Sequence, residues 1–174
     1  MSKAKILIVN ENDEVVGLKE RGTLNAEDIY RVSALWIQNS KGDTLLAQRS
    51  FDKKNDPGKW GPAVAGTVDE GETYDSNIIK EADEEIGLTN HHFVKAFYKR
   101  NDGKHKYFVQ WYFALLDRDI NEFTIQKEEV ERIKWFSREE LLKILADSPD
   151  NFLKSTKDCV TYFTNHAGSG RHIT

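Results

Sequence analysis

Between Gly66 and Leu88 the chain reads Gly-Thr-Val-Asp-Glu-Gly-Glu-Thr-Tyr-Asp-Ser-Asn-Ile-Ile-Lys-Glu-Ala-Asp-Glu-Glu-Ile-Gly-Leu. No other stretch constrains the fold as tightly. Thr73 has a side-chain oxygen suited to cap a helix N-terminus, and Gly87 can adopt the left-handed conformation that ends one. Together they predict a helix from Tyr74 to Ile86. At 100° per residue, Ile78, Ile79, Ala82 and Ile86 fall within an arc of about 100° and form a docking stripe. Glu81, Glu84 and Glu85 share a second arc, where like charges repel by a few tenths of a kcal/mol per pair. A hard divalent cation among them would remove that repulsion, and Mg²⁺ would keep waters that a phosphate could replace.

An acidic helix face is by itself usually just solvated surface. This one sits inside a longer spacing, Gly-x5-Glu-x8-Glu-x2-Glu-Glu-x-Gly, running from Gly66 through Glu72, Glu81, Glu84 and Glu85 to Gly87. The pattern resembles the Nudix box, with Lys80 where the consensus has Arg. The chain is thereby identified as similar to the Nudix hydrolase superfamily. That resemblance implies an α/β/α sandwich around a mixed β-sheet and hydrolysis of a nucleoside diphosphate linked to a group X. It further implies Mg²⁺, or Mn²⁺ in its place, held by Glu81 and Glu85, with Glu84 a third ligand or the base. Gly66 would let the loop turn ahead of the helix, and Glu72 would support the site. Lys80 keeps the charge of the consensus Arg but not its bidentate fork, which implies a looser site.

Composition narrows the partners. The chain has 174 residues, 39% hydrophobic and 31% charged, enough for one domain with a core. A net charge of −4 gives no basic field for a nucleic-acid polymer. A small diphosphate remains an acceptable ligand, because a few Lys and Arg suffice to hold it. Cys159 is the only cysteine, which excludes a disulfide framework and reads as a small buried residue of a C-terminal helix. No signal-peptide pattern or membrane-length apolar run is present, so a cytoplasmic location is expected. Dimers are common in the family, so a homodimer is one expected assembly.

Taken in order, Lys5 to Val9 and Val15-Val16 read as an N-terminal β-hairpin within an extension over residues 1–29. The Nudix domain is expected over 30–166. Strands follow at Tyr30 to Gln38 and Thr44 to Arg49, then a loop over residues 50–62 leading into the box. After the box helix, His92 to Arg100 and His105 to Leu116 flank an Asn-Asp-Gly turn. Next come an acidic segment, a strand from Arg132 to Phe136, and a capping box, Ser137-Arg-Glu-Glu140, that starts a helix to about Ala146. Ser148-Pro149 reads as the start of a last helix, along which Phe152, Thr156, Val160 and Phe163 recur at helical spacing. The tail from Ala167 reads as frayed.

Outside the box, Arg49, Lys53, Lys54 and Lys59 precede it at a place convenient for phosphates, and Trp60 could stack a base. Glu128 or Glu129 is a candidate late-loop base or extra ligand, with Glu128 the first choice. The opening hairpin and last helix also resemble the branch of the superfamily that contains isopentenyl-diphosphate isomerase. That enzyme's catalytic Cys falls at Ala65, its His ligands at Thr67 and near Tyr30, and its catalytic Glu near Phe108, so its chemistry is not expected. A Nudix-fold module that binds a nucleotide without hydrolysing it is the remaining alternative.

Overall fold

The computed structural model describes residues 4–166. Nine strands form one mixed sheet. They are β1 (Lys5–Val9), β2 (Val15–Glu20), β3 (Ile29–Gln38), β4 (Thr44–Arg49), β5 (Trp60–Pro62), β6 (Val64–Thr67), β7 (Val94–Asp102), β8 (Lys106–Leu115) and β9 (Val130–Phe136). Helices α1 (Tyr74–Ile86), α2 (Arg138–Asp147) and α3 (Lys154–His166) complete the fold, with short 3₁₀ turns at Ile120–Glu122 and Pro149–Asn151.

Strand β3 is the spine. Its whole length pairs in parallel with β8, from Ile29 opposite Lys106 to Gln38 opposite Leu115. Along its other edge β1, β6 and β4 take antiparallel places in succession. Where it is flanked on both edges and covered on both faces the strand is apolar, and Ala34, Leu35, Trp36 and Ile37 are all buried. Alternation divides them. Ala34 and Trp36 join Trp111, Phe136, Val160 and Phe163 under α2 and α3. Leu35 and Ile37 join Val64, Ile78, Ala82 and Ile86 under α1. The expected α/β/α sandwich is thus present.

Local chemistry sets α1 as expected. The Thr73 hydroxyl accepts the Ser76 N–H at 3.1 Å while the Ser76 hydroxyl accepts the Thr73 N–H at 2.9 Å. Gly87 ends the helix at φ 66°, with its N–H on Asp83 O at 2.9 Å. The stripe is narrower than expected. Ile78, Ala82 and Ile86 are buried, but Ile79 is 58% exposed, because the helix docks with Asn77 and Glu85 flanking the stripe instead.

Two caps also differ from expectation. Ser137 does accept the Glu140 N–H, but the Glu140 carboxylate takes Lys134 at 2.6 Å and does not return to the cap. Ser148 opens only the 3₁₀ turn, without a side-chain cap, and α3 starts five residues after Pro149 at Lys154. Phe152 therefore lies ahead of the helix, though it is buried with Thr156, Cys159, Val160 and Phe163 as the spacing implied. The last strand begins at Val130, two residues early, because Arg49 pairs there across a bulge. Short β5 lies inside the expected loop of residues 50–62. The tail from Ala167 lies outside the described residues. No helix among the described residues is long and apolar enough to cross a membrane.

The N-terminal hairpin is clamped to α1 through its tip. Asp13, at φ 61°, accepts the hydroxyls of Tyr74 at 2.9 Å and Tyr98 at 2.7 Å, and Arg31 Nε at 2.7 Å. Three donors from α1, β7 and β3 thus converge on one carboxylate. Removing it takes this partner from all three, although Arg31 keeps the Asp13 backbone carbonyl, and hydrogen bonds to a charged group contribute about 1.5–3 kcal/mol. Asp13→Ala should therefore lower stability by about 2–3 kcal/mol in urea denaturation, and Asp13→Asn by less, since Asn accepts and tolerates a left-handed φ. A loss under about 0.5 kcal/mol for the alanine variant would show that the clamp does not hold the hairpin.

Candidate active site

A cleft of about 450 Å³ opens where the second half of α1 faces β6. On its floor β6 runs antiparallel to β3, bringing Ala65 opposite Ala34 and Gly66 opposite Ser33. The carboxylates of Glu81 and Glu85, one turn apart on α1, lie against this strand. A Cβ on Gly66 would fall 2.3 Å from Glu81 Cγ and 2.4 Å from Cδ, so the glycine is required by a close approach. Glu85 accepts the Ala65 N–H at 3.3 Å and is only 8% exposed. Glu84 is exposed and lines the mouth.

Burial and like charge act on the same pair. Burial, with the neighbouring Glu81 charge, pushes Glu85 up to about 8. Burial also raises Glu81, against the pull of Lys80 and with a push from Glu84. Two desolvated carboxylates that cannot both ionise readily are a donor set suited to a hard cation. Among the described residues no three acidic, His or Cys side chains gather closely enough to hold an ion alone. An ion bound by Glu81 and Glu85 would complete its shell with water and ligand oxygens.

A polar frame holds these carboxylates. Asn77, fully buried, donates to Thr67 O at 3.2 Å, Glu72 at 2.9 Å and Glu81 at 3.3 Å, while its own oxygen accepts the Ser33 hydroxyl. Lys80 lies 2.7 Å from Glu72, 3.4 Å from Glu81 and 3.8 Å from Asp69. As a point charge it serves three carboxylates at once. Burial works to raise Glu72, but Lys80, the Asp69 N–H and Asn77 outweigh it and hold that carboxyl below its usual value.

The structure gathers some of the anticipated residues and separates others. Glu81, Glu84, Glu85, Gly66, Lys80 and Arg49 all line the cleft. Glu72 stands behind them. Gly87 lies at the far end of α1, where a Cβ would meet Thr124 at 3.1 Å. Glu128 is exposed away from the cleft, and Glu129 lines it instead, ion-paired with Lys53. The turn that bonds Glu129 N–H to Gln126 O, and Ser50 N–H to Glu129 O, decides which of the two faces in.

Lys59 pairs with Asp56 at 2.9 Å outside the cleft lining. Trp60 is not available to stack a ligand: it is buried edge-on against Phe136 at 5.0 Å, with Arg132 over its ring. Sequence reasoning overlooked Asn77, Asp69 and Arg21. Asn77 carried a signal, since Asn77, Glu81 and Glu85 recur every four residues on one helix face.

A family model for the NUDIX domain matches residues 29–155. An uncharacterized Nudix hydrolase of Listeria monocytogenes is 29% identical over 161 residues, covering 90% of this chain and 88% of the other. An isopentenyl-diphosphate Delta-isomerase of Klebsiella pneumoniae is 27% identical over 90 residues, 51% of this chain and 49% of that enzyme. Among solved structures, a Deinococcus radiodurans protein superposes with a TM-score of 0.69 at 25% identity, covering 83% of this chain and 90% of that one.

The raised Glu85 predicts a stability profile for protein kept metal-free with a chelator. Its folded value, about 8, lies above the ordinary 4.5, so the folded state holds the proton more tightly. Stability from this group is complete below about pH 4.5, is lost as pH rises toward 8, and then levels. Glu85→Gln should remove that slope. The variant should exceed wild type by on the order of 2–4 kcal/mol near pH 8.5 and by little near pH 4, measured by urea denaturation across pH. Parallel profiles would show that Glu85 ionises in the folded protein as an ordinary carboxylate does.

Proposed function

The chain belongs to the Nudix family, and from that premise we propose that it hydrolyses a diphosphate bond in a nucleoside diphosphate linked to X, using Mg²⁺. The observation that carries this reading is the desolvated Glu81–Glu85 pair laid against Gly66, in a cleft that also presents Arg49 and Lys53. Carboxylates stripped of water favour a divalent cation, and the flanking cations favour phosphate oxygens.

Glu81 and Glu85 would hold the ion, which when bound would neutralise charge developing on the phosphoryl oxygens. Gly66 keeps the floor flat enough for Glu81 to lie across it. Asn77 and Lys80 orient Glu81, and the Ala65 N–H orients Glu85. Arg49 and Lys53 bind the phosphates, Lys53 exchanging its pairing with Glu129 for the substrate. Glu84, exposed at the mouth, accepts a proton from the attacking water. Glu129, released from Lys53, is the second candidate for that role.

Purified protein assayed with nucleoside di- and triphosphates, nucleotide sugars and dinucleotides should release phosphate or monophosphate with Mg²⁺ and not with EDTA. Glu84→Gln and Glu85→Gln should each lower kcat/KM at least about a hundredfold, some 2–3 kcal/mol of transition-state stabilisation. Near wild-type rates in both variants would show that the chemistry lies elsewhere. Tight Mg²⁺-dependent nucleotide binding without turnover would instead make the chain a binding module.

A further inference from the structure

Arg21 enters the cleft from outside the segment that the family model matches, 29–155. It follows β2 directly, and its N–H donates to Ala4 O at 2.9 Å, which fixes the open end of the N-terminal hairpin at the cleft rim. Its side chain is 49% exposed. One guanidinium nitrogen donates to Asp69 Oδ1 at 2.8 Å, and the group makes no other hydrogen bond among the described residues. A planar fork is thus held in place by one arm with the rest turned to solvent.

The placement of charge is two-sided. Arg21 pairs with Asp69, which faces Lys80 beside Glu81, while Lys53 pairs with Glu129, in the turn whose Gln126 N–H donates to Glu85 O. One cation therefore stands on each flank of the acidic pair. A diphosphate whose bridge lies at that pair, with one phosphoryl toward Lys53, directs its other part toward Arg21. Guanidinium binds a terminal phosphate dianion through parallel N–H bonds, an arrangement that a neutral sugar cannot match.

Resting on the hydrolase reading above, we propose that Arg21 is a specificity residue that recognises a terminal phosphate on group X. The chain then favours nucleoside polyphosphates over nucleotide sugars. The hairpin is part of the substrate site as well as a brace for the fold.

The competing role is positional, with Arg21 serving only to hold Asp69, whose N–H bonds Glu72 and whose carboxylate faces Lys80. Asp69→Asn separates the two, since it weakens the ion pair but leaves the guanidinium at the rim. The test measures kcat and KM for wild type, Arg21→Ala, Arg21→Lys and Asp69→Asn on a nucleoside triphosphate and on a nucleotide sugar. Arg21→Ala should lower kcat/KM on the triphosphate about tenfold or more, chiefly through KM, and change the sugar substrate less than about twofold. Arg21→Lys should recover only part, and Asp69→Asn should keep the wild-type preference. Equal losses on both substrates, or loss of preference in Asp69→Asn, would overturn the proposal.

Calorimetry with inorganic pyrophosphate and Mg²⁺ gives a readout that needs no turnover. Binding about tenfold weaker in Arg21→Ala supports recognition even if no panel substrate is hydrolysed, in which case the hydrolase reading alone fails. Equal affinity in the two proteins would overturn the assignment to Arg21.

Discussion

Glu81 and Glu85 are pressed against a strand that offers a glycine, an alanine N–H and little water, and the rest of the molecule is arranged around that placement. Two neighbouring carboxylates in such a site cost free energy when ionised, because burial and mutual repulsion both favour the protonated form. The fold tolerates them because α1 is held independently. Its stripe of Ile78, Ala82 and Ile86 is buried on the sheet, and its two ends are closed by the Thr73–Ser76 box and by Gly87. The apolar docking thus positions polar groups that would otherwise turn to solvent.

Position along the helix decides what each acidic residue does. Glu85 shares the docked face and loses its water. Glu81 lies at the margin, steadied by Asn77 and Lys80, and Glu84 remains at the mouth. Three carboxylates within five residues therefore differ in burial and in partners. The same hydrogen-bonded frame reaches farther. Lys80 joins Glu72 and Asp69, and Asp69 joins Arg21 at the end of the hairpin, whose other end is the Asp13 clamp on Tyr74. The hairpin grips the start of α1 at one place and the cleft rim at another, so the extension is mechanically continuous with the site.

What could be read in the sequence was what is settled locally. Capping at Thr73, the left-handed stop at Gly87, the strand alternation and the glutamate spacing all depend on neighbours within a few residues. What could not be read depended on distant partners. Choosing Glu129 over Glu128 needs the bond from Ser50 N–H to Glu129 O, made between residues far apart in the chain. Trp60 resembles a loop aromatic until three residues pair as β5 and Phe136 and Phe152 close over it. Ile79 fits the stripe on an ideal wheel, but a rotation of about half a residue step decides between Ile79 and Glu85, and the Ala65 N–H on β6 takes Glu85. Arg21 carried no local signal, since only the pairing of β1 with β2 and β3 brings it to the cleft.

The likeness to an isopentenyl-diphosphate isomerase over half the chain gives the geometry a second use. Moving a proton between two carbons of an alkene requires an acid and a base on reachable faces of the substrate. The positions that would carry them here are otherwise employed. Ala65 offers only its backbone N–H, and that is bonded to Glu85. Thr67 is paired with Val32 in the sheet, and Tyr30 leans on Tyr107 at 5.6 Å. Phe108 is buried, stacked on Tyr98 at 5.6 Å with the Arg100 guanidinium over its ring at 5.2 Å. A carboxylate introduced at Phe108 would lose that stacking and have to ionise in an apolar layer. Ala65, Thr67, Tyr30 and Phe108 thus bring neither a thiol, an imidazole nor a carboxylate to such a transfer.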